Sequence, residues 1–111
     1  MAKLSNADKA VIAPDQLREY LLNPDHRRGA SKADLLLSLG YRTGEQQRLE
    51  ADLRRQHVPA DVATTLATDY GIRYEIVAPL VGPNGRIVLF RSVWQIDTGT
   101  DYPRLITMVP E

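Results

Sequence analysis

The hydrophobic pattern of the chain changes at Pro59, and this change constrains the fold more than any other feature of the sequence. Before Pro59 the apolar residues recur three or four positions apart, as on one face of a helix. After Pro59 they alternate with polar residues, as in strands that bury one face. Helices followed by a run of strands leave no crossover helices for a parallel sheet. The sequence therefore predicts an α+β fold, with three N-terminal helices packed on one face of a four-stranded antiparallel meander.

Length and composition limit the class of protein. The 111 residues suffice for one domain but not two, so we expect a single domain over 1–111, helical over 1–57 and sheet-forming over 58–111. With 14 basic and 14 acidic residues the net charge is zero, which argues against binding nucleic acid or membranes through bulk charge. The absence of cysteine excludes disulfides and thiolate chemistry. No apolar run or targeting segment is visible, so we expect a cytoplasmic protein without membrane contact.

Three helices are predicted from their start and stop signals. The first begins at Pro14, whose fixed φ suits the first helical position, and ends at Asn23, which precedes a proline. Ser31 is expected to cap a second helix through residue 39, with Gly40 as its stop. A T-x-x-Q capping box predicts a third helix that reaches about residue 56; its members are Thr43 and Gln46.

Four strands are predicted after Pro59, and the loop of the central hairpin decides their register. The strands cover a weak alternation near 62–66, then 72–80, 87–96 and 105–109. A two-residue loop, Asn84-Gly85, would place Arg91 on the apolar face. A three-residue loop that includes Pro83 sets Ile76 opposite Ser92 and gathers nearly all the large apolar groups on one face, which burial favours. The predicted core comprises Tyr74, Ile76, Leu80, Phe90 and Trp94, packed on Leu17, Leu21, Leu36 and Leu53.

Residues 26–32 form the densest basic cluster of the chain. They lie where the N-terminus of the second helix adds its partial positive charge, an arrangement that favours a phosphate. His26 can act as a general acid or base near neutral pH, while Arg28 and Lys32 stabilise charge at phosphorus. Such a site needs no metal or cofactor, because the 2′-hydroxyl of RNA is itself the nucleophile. The alternative is a solvated loop in which His26 caps a helix end.

Arg91 is the second candidate, in the middle of a strand on the polar face. It can hold a phosphate over an open sheet with Arg73 beside it, or form a surface ion pair with Glu75, its diagonal cross-strand neighbour. Trp94 and Tyr74 are better explained as core residues than as a platform for stacked bases, since the predicted register buries both. The two histidines of the chain have no zinc-ligand spacing, so no metal site is expected.

Motifs along almost the whole chain resemble those of a bacterial domain-of-unknown-function family. The string Tyr20-Leu21-Leu22-Asn23-Pro24-Asp25-His26, followed by Gly29, Lys32-Ala33 and Leu39-Gly40, is similar to its signature YLLxPxHPxGxxKAxFFxxLG. Further matches lie at 6–12, 70–71, 74, 91–94 and 103–107. The chain departs from the signature at Arg27, where the family usually has proline, and at Leu35-Leu36, which replace an aromatic pair.

Members of this family occur as free-standing proteins and as tail domains of secreted toxins, and their order of elements resembles the fold of RelE-type toxins, barnase and EndoU ribonucleases. The resemblance implies a toxin of a toxin–antitoxin or polymorphic-toxin system, acting as a metal-independent endoribonuclease on RNA and neutralised by a cognate antitoxin. It adds Arg104 and Thr107 as substrate-binding residues, beside Arg28 and the catalytic candidates His26, Lys32 and Arg91. The zero net charge favours the alternative, a non-catalytic protein-binding module such as an antitoxin, an immunity protein or a phage-encoded inhibitor.

Overall fold

The computed structural model describes residues 2–22 and 30–111. Over these residues a 3-10 turn, Ala7–Lys9, precedes three helices: α1 (Pro14–Leu22), α2 (Ala30–Ser38) and α3 (Gln46–Gln56). Four strands follow: β1 (Thr64–Thr68), β2 (Gly71–Val81), β3 (Ile87–Asp97) and β4 (Arg104–Pro110). All neighbouring strands are antiparallel, in the order β1-β2-β3-β4. The predicted α+β class and the meander are confirmed.

The predicted register of the β2–β3 hairpin is confirmed. Ile76 faces Ser92, and Gly85 in the hairpin loop has the left-handed φ of 88° that a three-residue loop requires. One sheet face packs on the helices, and all nine residues predicted for the core are buried: Leu17, Leu21, Leu36, Leu53, Tyr74, Ile76, Leu80, Phe90 and Trp94. The core also includes Leu4, Ile12, Tyr41 and Met108, which are not among the predicted core residues.

The predicted capping box at the start of α3 is wrong. Gly44 adopts a φ of 91°, and the helix begins only at Gln46, after Glu45. The Thr43 hydroxyl donates instead to the carbonyl of Leu21 at the end of α1, over 3.2 Å. Because the left-handed glycine delays the helix by two residues, Thr43 anchors the loop before α3 to α1 and does not cap α3.

The tip of the β2–β3 hairpin contacts the end of α2. The Asn84 backbone N–H donates to the carbonyl of Leu39 over 3.1 Å, and the Asn84 side-chain amide donates to that of Ser38 over 2.9 Å. Arg86 Nη1 donates to the same Ser38 carbonyl over 3.3 Å. These bonds satisfy carbonyl groups that a helix end leaves unpaired. The close approach requires Gly82, because a Cβ there would overlap the Leu39 carbonyl oxygen.

The N-terminal segment, for which the sequence predicted no element, is hydrogen-bonded to both edges of the sheet. Near β1, the Val62 N–H donates to the Ala2 carbonyl over 2.9 Å. Near β4, Val11 donates to Pro103 over 2.8 Å and accepts from Leu105 over 3.0 Å. The chain before α1 therefore passes beneath the sheet, where it adds Leu4 and Ile12 to the core. None of the helices in 2–22 and 30–111 has the length and apolarity needed to cross a membrane.

Candidate functional site

The sheet has a second face, opposite the helices, and the register places charged and polar side chains across its three longer strands. We call this the second sheet face. Its central residues are Arg73, Glu75 and Val77 on β2, Arg91, Val93 and Gln95 on β3, and Arg104, Thr107 and Val109 on β4. Val81, Ile87 and Leu89 extend it toward the hairpin loop, and Asp97 lies at its other end. Side chains of β2 point alternately to the two faces of the sheet. The even-numbered residues 74–80 are buried against the helices, and the odd-numbered ones lie on the second sheet face and are not buried. The predicted placement of Arg91 on the polar face, with Arg73 and Glu75 as neighbours, is confirmed.

Arg91 is held between two carboxylates on the second sheet face. Its Nη1 donates to Glu75 over 2.5 Å, and its Nε and Nη2 donate to the two carboxylate oxygens of Glu111 over 3.0 and 3.1 Å. These bonds raise the pKa of Arg91, and the bonds to Glu111 contribute more than the bond to Glu75. All three side chains stay about one-third exposed, at 30%, 26% and 34%. Arg91 therefore forms the ion pair with Glu75 that the alternative interpretation expected, and it remains accessible to a ligand.

Arg104 forms a second ion pair on the same face. Its Nε and Nη2 donate to the two carboxylate oxygens of Asp97 over 2.6 and 3.2 Å. Gln95 donates its amide N–H to the same carboxylate over 2.7 Å. The bond from Arg104, followed by that from Gln95, lowers the pKa of Asp97. The charge of Arg104 is thus balanced by Asp97, at the end of the second sheet face that lies away from Arg91.

Thr107 lies where α1 meets β4. The Tyr20 hydroxyl donates to the Thr107 hydroxyl over 3.4 Å, and Gln16 of the same helix donates to the carbonyl of Ile106 over 2.7 Å. Thr107 therefore belongs to the contact between α1 and β4.

The structure describes only some of the predicted site residues. His26 and Arg28 lie outside the described residues, and Lys32 belongs to α2 with its side chain also outside them. A phosphate site shared between residues 26–32 and Arg91 therefore stays a prediction. What the structure brings together is Arg91 with Glu75 and Glu111, and Arg104 with Asp97.

A fully buried polar cluster under the sheet was missed by the sequence analysis. His57 Nε2 lies 3.1 Å from the carbonyl of Ala78, and its Nδ1 lies 2.8 Å from the Ser92 hydroxyl. Trp94 Nε1 donates to the same hydroxyl over 2.9 Å. Because a carbonyl only accepts, Nε2 carries the hydrogen, and Nδ1 accepts from Ser92. The signal that could have found this cluster is Ser92 itself, a polar residue on the predicted apolar face that needs a buried partner.

The free energy of unfolding should fall as the pH drops below about 6.5. Burial lowers the pKa of His57 in the folded protein, and the bond to Ala78 opposes this only partly. The unfolded chain then binds the proton more readily, so the stabilisation is complete above the unfolded pKa and declines below it, by up to about 1.4 kcal/mol per pH unit. Urea denaturation at pH 7.5 and 5.5 measures this change, and His57→Gln should reduce it. An unaltered pH dependence in His57→Gln would assign the effect to other groups.

Asp52 on α3 is the centre of a separate ionic cluster. It is fully buried, and it accepts hydrogen bonds from the Tyr41 hydroxyl over 2.6 Å, Arg55 Nη2 over 2.6 Å and Arg48 Nε over 3.3 Å. Burial, and then the bond to Asp52, raise the pKa of Tyr41. Since this carboxylate has no solvent access, the cluster fastens the loop after α2 to α3 and offers no reactive group. In the ranges 2–22 and 30–111, no group of three or more acidic or histidine side chains is placed to hold a metal.

The comparisons with known proteins identify a family and a fold. A search of proteins with curated annotation finds no match. A chain from the structure described as "Contact-dependent growth inhibition toxin - immunity protein complex from Klebsiella pneumoniae 342" shares the fold, with a TM-score of 0.68 and 16% identity over 91% of this chain and 99% of that one. The model of the family described as "Domain of unknown function (DUF6883)" matches residues 3–111. The chain therefore belongs to the DUF6883 family.

Proposed function

We propose that this chain is the toxin-type member of a toxin–immunity pair and that it cleaves RNA without a metal ion. The observation that carries the proposal is the pair formed by Glu75 and Arg91, a carboxylate and a guanidinium in contact at 2.5 Å and partly exposed on the second sheet face. Metal-independent cleavage of RNA needs a proton acceptor for the 2′-hydroxyl and a cation beside the phosphate. Glu75 and Arg91 supply one of each, on adjacent strands of a rigid sheet.

The proposed reaction uses these groups as follows. Glu75 takes the proton from the 2′-hydroxyl, the resulting oxygen attacks the adjacent phosphorus, and the bond from phosphorus to the 5′-oxygen breaks. Arg91 stabilises the negative charge that builds on the phosphate oxygens. The 5′-oxygen leaves with a proton from a general acid, the role proposed for His26, and the products are a 2′,3′-cyclic phosphate and a 5′-hydroxyl.

A protein partner is part of the proposal. The fold neighbour comes from a complex of a toxin with its immunity protein, and a chain of the same fold in the present family is expected to have a comparable partner. Such a partner would inhibit cleavage most directly by covering the second sheet face. Four exposed apolar residues at the hairpin end of this face suit a protein contact: Val81, Ile87, Leu89 and Val109.

A second candidate is a non-catalytic role on the immunity or antitoxin side of such a pair. The observation that favours it is charge neutralisation on the second sheet face. Arg91 is matched by Glu75 and Glu111, and Arg104 is matched by Asp97. Because the whole chain also has zero net charge, long-range attraction of RNA is weak.

Cleavage of a single-stranded RNA in the presence of EDTA separates the two candidates. The purified chain should cut the RNA with EDTA present and leave 2′,3′-cyclic phosphate ends, and its induced expression in bacteria should arrest growth. A DNA oligonucleotide of the same sequence should stay intact, because it lacks the attacking hydroxyl. Loss of cleavage in EDTA would contradict the metal-independent mechanism. Intact RNA together with normal growth would contradict the toxin role and favour the binding module.

A further inference from the structure

Arg73 is a guanidinium on the second sheet face for which the proposed reaction has no use. It lies on β2, directly opposite Leu66 of β1 and Gln95 of β3. Its side chain is partly buried, and its Nε is shielded from solvent without a hydrogen-bond acceptor among the described residues. A buried N–H without a partner is unfavourable, so a ligand acceptor that draws this partly buried guanidinium outward, and takes up its N–H groups, would relieve that cost.

The neighbouring charges indicate which ligand fits. Arg104, beyond Gln95 in the same cross-strand row, is already matched by Asp97. Arg91 is matched by two carboxylates, so the cluster around Glu75 carries more negative than positive charge and does not by itself attract an anion. Among the described residues of this face, Arg73 is therefore the positive charge without a carboxylate partner, and it favours an anionic ligand.

The position of Arg73 relative to Glu75 relates that anion to the proposed reaction. The two residues are two positions apart on β2, so both side chains point from the same face with Cα atoms about 6.6 Å apart. From these observations we infer that Arg73 binds a backbone phosphate of single-stranded RNA next to the phosphate that is cleaved. The inference rests on the proposed function and adds a substrate-binding residue to it. Arg73 holds the strand so that the 2′-hydroxyl meets Glu75.

Binding of an RNA that cannot be cleaved tests this inference. A fluorescently labelled 2′-O-methyl oligonucleotide lacks the attacking hydroxyl, so its affinity is measured by anisotropy without turnover. Arg73→Gln is expected to lower the affinity about tenfold, the usual effect of losing one hydrogen bond to a charged group. It should also reduce the slope of log affinity against log salt by about 0.7, the contribution of one phosphate of a single strand. Arg73→Lys keeps the charge, and its affinity should lie between those of Arg73→Gln and the unsubstituted chain.

The matched control is Arg42→Gln, which removes an exposed arginine from the loop between α2 and α3 and should leave the affinity unchanged. Equal affinity in Arg73→Gln and the unsubstituted chain, or no RNA binding by the latter, overturns the inference. The two proposals fail separately. Intact RNA with Arg73-dependent binding contradicts the cleavage proposal alone, whereas cleavage with Arg73-independent binding contradicts the role of Arg73 alone.

Discussion

Trp94→Ala is expected to lower the free energy of unfolding by about 3–5 kcal/mol, since removing a fully buried indole leaves a large cavity. The substitution also removes the N–H that Ser92 accepts at 2.9 Å, which leaves the Ser92–His57 cluster without one of its donors. Urea denaturation followed by circular dichroism measures the loss. Fluorescence is unsuitable because Trp94 is the single tryptophan of the chain.

Two further variants divide this loss into its parts. Trp94→Phe fills most of the cavity but has no N–H. The Ser92 hydroxyl then still donates to His57 but accepts no hydrogen bond, and a loss of about 1–3 kcal/mol is expected from this buried acceptor. Tyr70→Ala removes an aromatic ring that is 77% exposed and should change the stability by less than about 0.5 kcal/mol. A Trp94→Ala variant as stable as Tyr70→Ala would contradict the packing of the sheet on the helices.

Glu75→Gln is expected to reduce kcat/KM for RNA cleavage by about 10²–10⁴-fold, the usual contribution of a positioned general base. Glutamine has nearly the same shape and its carbonyl can still accept the hydrogen bond from Arg91, but it does not take up a proton. The readout is the initial rate of cleavage of a labelled RNA at neutral pH, compared between the variant and the unsubstituted chain.

Glu50→Gln is the matched control for this prediction. Glu50 is also a partly exposed carboxylate paired with an arginine, Arg54 at 3.0 Å, but it lies on α3. Both substitutions remove one surface ion pair, which contributes at most about 1 kcal/mol to stability. Full activity of Glu75→Gln would remove Glu75 from the proposed reaction, and an equal loss in Glu50→Gln would point to an effect of overall charge.

The sequence predicts the sheet well because burial imposes a strict period of two on each strand. Apolar residues of β2 recur at every second position as far as Leu80. Only a three-residue hairpin loop places the apolar residues of β3 on the same face of the sheet, and this loop sets Ile76 opposite Ser92. The start of α3 is predicted less well. Thr43 has the spacing of a cap, but the left-handed backbone at Gly44 turns the chain away before the helix begins.

The polar contacts of the fold are harder to predict because their partners lie far apart in the chain. His57 meets Ser92 across 35 positions, and Arg91 meets the last residue, Glu111, across 20. A hydrophobic pattern specifies which residues are buried but not which buried or half-buried polar groups are neighbours. Glu75 was predicted only as a surface partner of Arg91. It is proposed here as the general base because its carboxylate lies beside the Arg91 guanidinium on an accessible face.

The contact between the hairpin tip and α2 has a consequence for the order of folding. A helix of nine residues is marginal in water on its own, and α2 has its last carbonyls capped by Asn84 and Arg86, 46 and 48 positions further along the chain. Hairpin closure brings together residues that are near in sequence, whereas the bonds from the tip to Ser38 join residues far apart in the chain. We therefore expect the β2–β3 ribbon to form first and α2 to acquire its stability later, when it docks on the hairpin tip.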